Sequence, residues 1–125
     1  MTRHDPLVSV RHMLDNAREA AQMARGRSRA DLDTDRSLNL SLIRLMEVVG
    51  EAARRVPDDF RRRHPEVPRR EAAGMRNRLI HGYDAVDFDI LWSIVTEDLP
   101  PLITQLEAIV QEALNDSVGQ EPSSA

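Results

Sequence analysis

The amino-acid sequence predicts an all-α fold: an up-and-down bundle of four main helices plus a short helix. Three observations lead there. Apolar residues recur at three- and four-residue steps over long stretches, and nowhere does the chain alternate with the period of two that a half-buried strand needs. Aromatics make up only 3% of residues, so the core must be Leu, Val, Ile, Met and Ala, a palette that favours helix. Capping residues and prolines stand near the ends of the periodic stretches.

The elements follow in order. Asp5-Pro6 reads as an N-cap and a proline at the first helical position. Leu7, Val10, Leu14, Ala17, Ala21 and Ala24 make the first apolar stripe, ending near Gly26. The polar stretch 25–36 reads as a loop or frayed end. Leu38, Leu42, Leu45, Met46, Val49, Ala52, Ala53 and Val56 make a second stripe, closed by Pro57. Within it, Gly50 suggests close approach of another helix, and Arg44 and Glu47 have the spacing of an ion pair. The stretch 57–67, with Asp58-Asp59-Phe60-Arg61-Arg62-Arg63-His64-Pro65, reads as a short helix or turn between prolines. Its arginine run is a solvated connector or a phosphate-steering patch.

Pro68 begins a fourth helical stretch that ends at Gly82, a natural residue to follow a helix. Asp87 is a good N-cap for the last stripe: Phe88, Leu91, Trp92, Val95, Leu99, Leu102, Ile103, Leu106, Ile109 and Val110. Pro100-Pro101 interrupts that stripe, giving one long kinked helix or two shorter ones. The expected organisation is one helical domain over 1–114 and a disordered tail over 115–125.

The 125 residues contain no cysteine, so disulfide and thiolate chemistry are excluded. No apolar run approaches the roughly 18 residues of a membrane span, and the first residues lack the apolar core of a signal peptide. The expectation is a soluble cytoplasmic protein that neither spans a membrane nor uses a cofactor. The formal net charge of −4 hides a segregation. Residues 54–78 hold nine arginines against four acids, whereas residues 79–125 hold nine acids and no arginine. Such a chain can bind a polyanion at its basic centre and repel it elsewhere, or simply carry a solvated helical surface.

One stretch concentrates reactive side chains: Met75-Arg76-Asn77-Arg78-Leu79-Ile80-His81-Gly82-Tyr83. On a helical wheel, Asn77 and His81 share one face with Gly74 between them, and Arg78 flanks it. Arg76 points into the apolar arc, where a guanidinium needs a carboxylate partner or a seam between helices. Glu47 is the candidate partner. Gly74 would let a second backbone come close, so this face suits a copy of itself across a two-fold axis. Histidine exchanges protons near neutral pH, arginine grips a phosphate and neutralises an anionic transition state, and asparagine orients. RNA carries its own nucleophile in the 2′-hydroxyl, so this set points to RNA cleavage without a metal. The plainer alternative is that His81 caps a helix end. The other histidines, His4, His12 and His64, read as a terminal residue, a surface residue and a cap. The sequence holds neither a Glu-x-x-His pair nor a cysteine, so no metal site is expected.

The same stretch, from Gly74 to Tyr83, resembles the signature of HEPN-domain toxins of the HepT type, whose core is Arg-x4-His-x-Tyr with Asn after the Arg. The likeness extends to Val86-Asp87-Phe88-Asp89-Ile90-Leu91-Trp92, to Leu99-Pro100-Pro101-Leu102 and to Glu47-Val48-Val49-Gly50-Glu51-Ala52-Ala53, and covers roughly residues 5–112. The resemblance implies a HEPN-like homodimer with the two motifs facing across a cleft. It implies a metal-independent endoribonuclease, the toxin of a type VII-like toxin–antitoxin pair. The family's partner is a nucleotidyltransferase of the MntA type that transfers AMP to the motif tyrosine. Carried over, Arg76 and His81 are catalytic, Asn77 supports them and Tyr83 is the AMP acceptor. Arg78, Arg69 and Arg70 are candidates for RNA contact, and Glu47 is a support inferred from the wheel. The alternative is a non-catalytic HEPN adaptor that holds substrate for a small nucleotidyltransferase.

Overall fold

The computed structural model describes residues 6–63, 65, 74 and 86–119. Every element among them is helical, in keeping with an all-α, HEPN-like fold. Helix α1 spans Pro6–Ala24, α2 Asp31–Thr34, α3 Arg36–Arg54 and α4 Asp58–Arg63. A last long rod consists of α5 (Phe88–Ser93), a widened π-helical turn (Ile94–Asp98) and α6 (Leu99–Gly119). The helix expected over 68–82 lies outside the described residues, as does Asp5.

Helix α1 begins at Pro6, where the missing N–H costs nothing because the first helical N–H groups have no partner anyway. It stops after Ala24. Gly26 takes the left-handed conformation, φ 76°, that a side chain would resist, and the Arg27 N–H closes on the Ala24 carbonyl at 3.0 Å. The buried face of α1 comprises Val10, Met13, Leu14, Ala17, Ala20 and Ala24. It packs along α3 and α6. The apolar stripe read from the sequence passed over Met13 and Ala20, which lie one step to the side of it and are fully buried.

The polar stretch after Gly26 is not a plain loop. Asp31–Thr34 folds into α2, with Leu32 fully buried as its single apolar anchor. One apolar residue in a polar run leaves no periodicity to read, so the turn was invisible to pattern. Helix α3 then starts on Asp35, whose carboxylate accepts from the Leu38 N–H at 3.0 Å. The Asn39 amide ties back to the Leu32 carbonyl at 2.9 Å and locks α2 onto α3. Leu38, Leu42, Met46, Val49, Ala52 and Ala53 are buried, as is Gly50. Helix α4 follows as the expected short helix, with Phe60 driven into the core and Arg61, Arg62 and Arg63 outside.

Asp87 caps α5 as expected, accepting from the N–H groups of Asp89 at 2.8 Å and Ile90 at 3.3 Å. The two prolines do not split the rod into two helices. Pro100 and Pro101 lack N–H groups, so an ordinary α register would leave the Thr96 and Glu97 carbonyls without donors. The turn before them widens, and the Leu99 N–H reaches back five residues to Ile94. Leu91, Ile94, Val95, Leu99, Leu102, Leu106 and Ile109 fill the core, each worth roughly 2 kcal/mol of burial. Helix α6 runs to Gly119, so residues 115–119 are helical where the sequence suggested a disordered tail. Positions 120–125 lie outside the described residues. Among the described residues no buried side-chain nitrogen or oxygen lacks a hydrogen-bond partner, and no helix is long and apolar enough to cross a membrane.

Candidate functional site

Arg69, Arg70, Arg76, Asn77, Arg78, His81 and Tyr83 all lie outside the described residues. The structure describes the frame on either side of them, and within them only Gly74. Gly74 is helical and half-buried, and a Cβ built on it meets nothing within 4 Å. Packing against the described residues gives no steric reason for glycine there.

Downstream, the frame is fixed by charge. Arg29 donates from Nε to Asp89 at 2.6 Å and from a terminal nitrogen to Asp33 at 3.1 Å, and its guanidinium lies 5.8 Å from the Phe88 ring centre. The Asp89 and Asp33 carboxylates hold the Arg29 proton more tightly than usual. The start of α5 is thereby clamped to the α1–α2 connection. Arg27 beside it bonds Asp35 at 2.7 Å and Asp31 at 3.3 Å. Asp31 is held below the usual carboxylate range, chiefly by the Ser28 N–H and also by Arg27. Asp35 is lowered chiefly by the Leu38 N–H, then by Arg27. Sequence reading missed this cluster, although Arg27 and Asp31, and Arg29 and Asp33, stand at the four-residue spacing of helical ion pairs.

Upstream, the arginine run of α4 is partly neutralised within its own turn. Arg61 pairs with Asp58 at 3.6 Å and Arg62 with Asp59, while Arg63 makes no ion pair among the described residues. Asp59 and Asp58 also stand in the first turn, where a helix favours negative charge.

Glu47 is the one proposed site residue the structure describes. It pairs with Arg44 at 3.5 Å, as the spacing suggested. It lines an open trough of about 320 Å³ between α1 and α3, with His12, Arg44, Val48, Glu51, Ala52 and Arg55. A smaller hollow of about 160 Å³ continues it past Val8 and Ser9, sharing His12, Ala52 and Arg55. Helices α1 and α3 run antiparallel, which sets His12 across from the second half of α3. His12 is exposed, as its sequence position suggested, but its place on the wall of the trough was missed. The signal was present: Arg44, Glu47, Val48, Glu51 and Ala52 recur at three- and four-residue steps on one face of α3, and Arg55, just past its end, continues the spacing. Among the described residues, no three of His, Asp and Glu come together as metal ligands.

Comparison with known proteins covers most of this frame. The family described as ribonuclease HepT-like matches residues 13–109, which encloses α3, the Arg76-to-Tyr83 stretch and the start of α6. A protein of Thermococcus cleftensis named "Probable ribonuclease HepT" is 44% identical over 79 residues, covering 63% of this chain and 72% of the relative. A protein of Caldanaerobacter subterraneus subsp. tengcongensis named "Putative RNase" is 34% identical over 107 residues, covering 86% of this chain and 96% of the relative. One of Methanocaldococcus jannaschii, also named "Putative RNase", is 31% identical over 109 residues, covering 87% and 100%. No solved structure matches. With a family match across more than half of its length and relatives matched nearly end to end, the chain belongs to the HepT-like ribonuclease family.

Proposed function

We propose that this protein is a metal-independent endoribonuclease whose site is built from Arg76, His81 and Asn77. The observation that carries the reading is the family match over residues 13–109, inside which Arg76-x4-His81-x-Tyr83 stands complete. Arg76 binds the scissile phosphate and neutralises charge in the transition state. His81 takes the proton from the RNA 2′-hydroxyl as it attacks, and gives one to the leaving oxygen. Asn77 orients the imidazole or the substrate. Arg78, Arg69 and Arg70 contact RNA, and Glu47 supports Arg76. A carboxylate can accept from two guanidinium groups, so the pairing of Glu47 with Arg44 is compatible with that role.

The protein acts as a homodimer with the two motifs across a cleft. Gly74 supports this: it carries the helix cost of glycine, packing against the described residues gives no steric reason for it, and it leaves room for a second backbone. The protein is the toxin of a pair whose antitoxin is an MntA-type nucleotidyltransferase that places AMP on Tyr83. The added phosphate would repel and block RNA at the mouth of the site.

The test is RNA cleavage in EDTA by the purified wild type, His81→Ala and Arg76→Ala, with the intact mass of each. EDTA-resistant cleavage lost in both variants supports the reading. Undiminished cleavage by both refutes the site. An unmodified wild type that cuts none of the RNAs tried favours the adaptor role. A silent wild type that is heavier by AMP, with no added mass on Tyr83→Phe, supports neutralisation by modification.

A further inference from the structure

The arginines of this surface divide by how far their donors are used. Arg27 and Arg29 are each held by two carboxylates, with hydrogen bonds as short as 2.7 and 2.6 Å. Arg44 and Arg55, in the trough between α1 and α3, each face one carboxylate. Arg44 lies 3.5 Å from Glu47 and Arg55 lies 3.9 Å from Glu51. The side chains of Arg44 and Arg55 are 75% and 65% exposed, and ion pairs that open contribute little. A guanidinium carries five donors, so most of those of Arg44 and Arg55 face solvent.

The order of charges along the trough is specific. Arg44 on α3 and Arg55, which follows its last residue in the same αR conformation, are eleven positions apart, about 16 Å along the axis. Glu47 and Glu51 lie between them, one turn apart. Val48 and Ala52 supply apolar surface beside them, and His12 of α1 faces them. A uniformly negative rod would be repelled at the centre. A single nucleic-acid strand suits the whole pattern, because its phosphates and its bases are separate groups. Phosphates take the two arginines, base N–H groups donate to the two carboxylates, and a ring stacks on imidazole. A span of about 16 Å covers several phosphates at the 3.4 Å rise of a stacked strand, and fewer when the strand is extended.

We infer that the α1–α3 trough is a binding track for single-stranded RNA, with phosphates at Arg44 and Arg55 and base edges at Glu47 and Glu51. The inference rests on the ribonuclease reading and extends it to residues outside the Arg76-to-Tyr83 stretch. Of the bases, guanine fits best: its Watson–Crick edge presents two adjacent N–H donors, which one carboxylate accepts together. The track therefore favours guanine over uracil.

The test uses full-length His81→Ala protein, which leaves RNA uncut, and fluorescein-labelled hexaribonucleotides with or without guanine. Binding is followed by anisotropy between about 50 and 200 mM salt. Adding Arg44→Ala or Arg55→Ala should weaken binding three- to tenfold and flatten the salt dependence by about 0.7 in log–log slope for each phosphate lost. Adding Glu51→Gln should reduce the preference for guanine and leave the slope unchanged, which a loss of fold would not do. Arg18→Ala, whose partner is Glu107 on α6, serves as the control and should change neither. Unchanged affinity and slope in both arginine variants overturns the track but leaves the ribonuclease reading standing. The track also falls if those variants bind RNA normally and lose a protein partner instead. If the His81→Ala parent binds no RNA and the wild type cleaves none, both readings fall.

Discussion

Replacing Gly74 by alanine tests the reasoning that links this residue to a second chain. Within the described structure an added Cβ meets nothing within 4 Å, and the residue is helical. Alanine is favoured over glycine in a helix by about 1 kcal/mol, partly because it narrows the unfolded ensemble. An isolated protomer should therefore gain about 1 kcal/mol, near 4 °C in Tm for a domain of this size. If the same face meets its copy across a two-fold axis, each methyl intrudes on the facing backbone and the dimer weakens. The two effects have opposite signs and separate with protein concentration, because only dimerisation adds stability that grows with concentration. Urea unfolding across a hundredfold concentration range, with sedimentation velocity alongside, measures both. The expected result is a stabilised protomer and a dimer dissociating at higher concentration than wild type. A protomer that loses stability would show that glycine is required within the chain. A stabilised protomer with an unchanged dimer would place the seam elsewhere.

Three further outcomes follow from the frame. Asp87→Ala removes the cap of α5 and should cost about 1 kcal/mol in urea unfolding, whereas Asp87→Asn should restore most of it. Leu106→Ala, at a fully buried position of α6, should cost about 2–5 kcal/mol, while Leu114→Ala, 44% exposed on the same helix, should stay within about 0.5 kcal/mol. Asp31 and Asp35 have folded pKa values below the usual carboxylate range, so the folded state holds their protons less tightly than the unfolded state does. Their stabilising effect is fully present above the unfolded value near 4 and fades as pH falls through the lowered folded values. Unfolding midpoints between about pH 2 and 6 should fall with acid in the wild type, and less steeply in the Asp31→Asn, Asp35→Asn double variant.

Much of this frame could be read from the sequence because helical periodicity is redundant. Leu38, Leu42, Met46 and Val49 announce α3 four times over, and losing any one would not hide it. The cap at Asp87 was legible for a different reason, since aspartate before an apolar run has few other uses. Helix α2 was not legible, because Leu32 is a single apolar residue among aspartates and periodicity needs at least two. Nor was the π-helical turn. The prolines at 100 and 101 mark the defect, but whether the chain breaks, bends or widens depends on packing that a pattern does not contain. The Arg76-to-Tyr83 stretch is legible as a motif and as the candidate site, and the structure describes what flanks it rather than its side chains. The trough lay in plain view on one face of α3, yet Arg44, Glu47, Glu51 and Arg55 look like any solvated helix surface until α1 sets His12 opposite them.

The two anchors of the motif stretch differ in kind, and that bears on how the site responds to change. The upstream anchor is apolar: Phe60 holds α4 in the core, and such contacts are insensitive to salt. The downstream anchor is polar: the Asp87 cap, and the Arg29 bridge from Asp89 to Asp33 beside the Phe88 ring. Exposed ion pairs weaken as salt rises, while a cap hydrogen bond largely does not. The Arg29 bridge is the part of the downstream anchorage that salt can loosen. High salt would then act on such an enzyme in two ways that can be told apart. Screening of phosphate contacts raises KM, whereas loosening the start of α5 lowers kcat, and Arg29→Met should reproduce the second effect without the first.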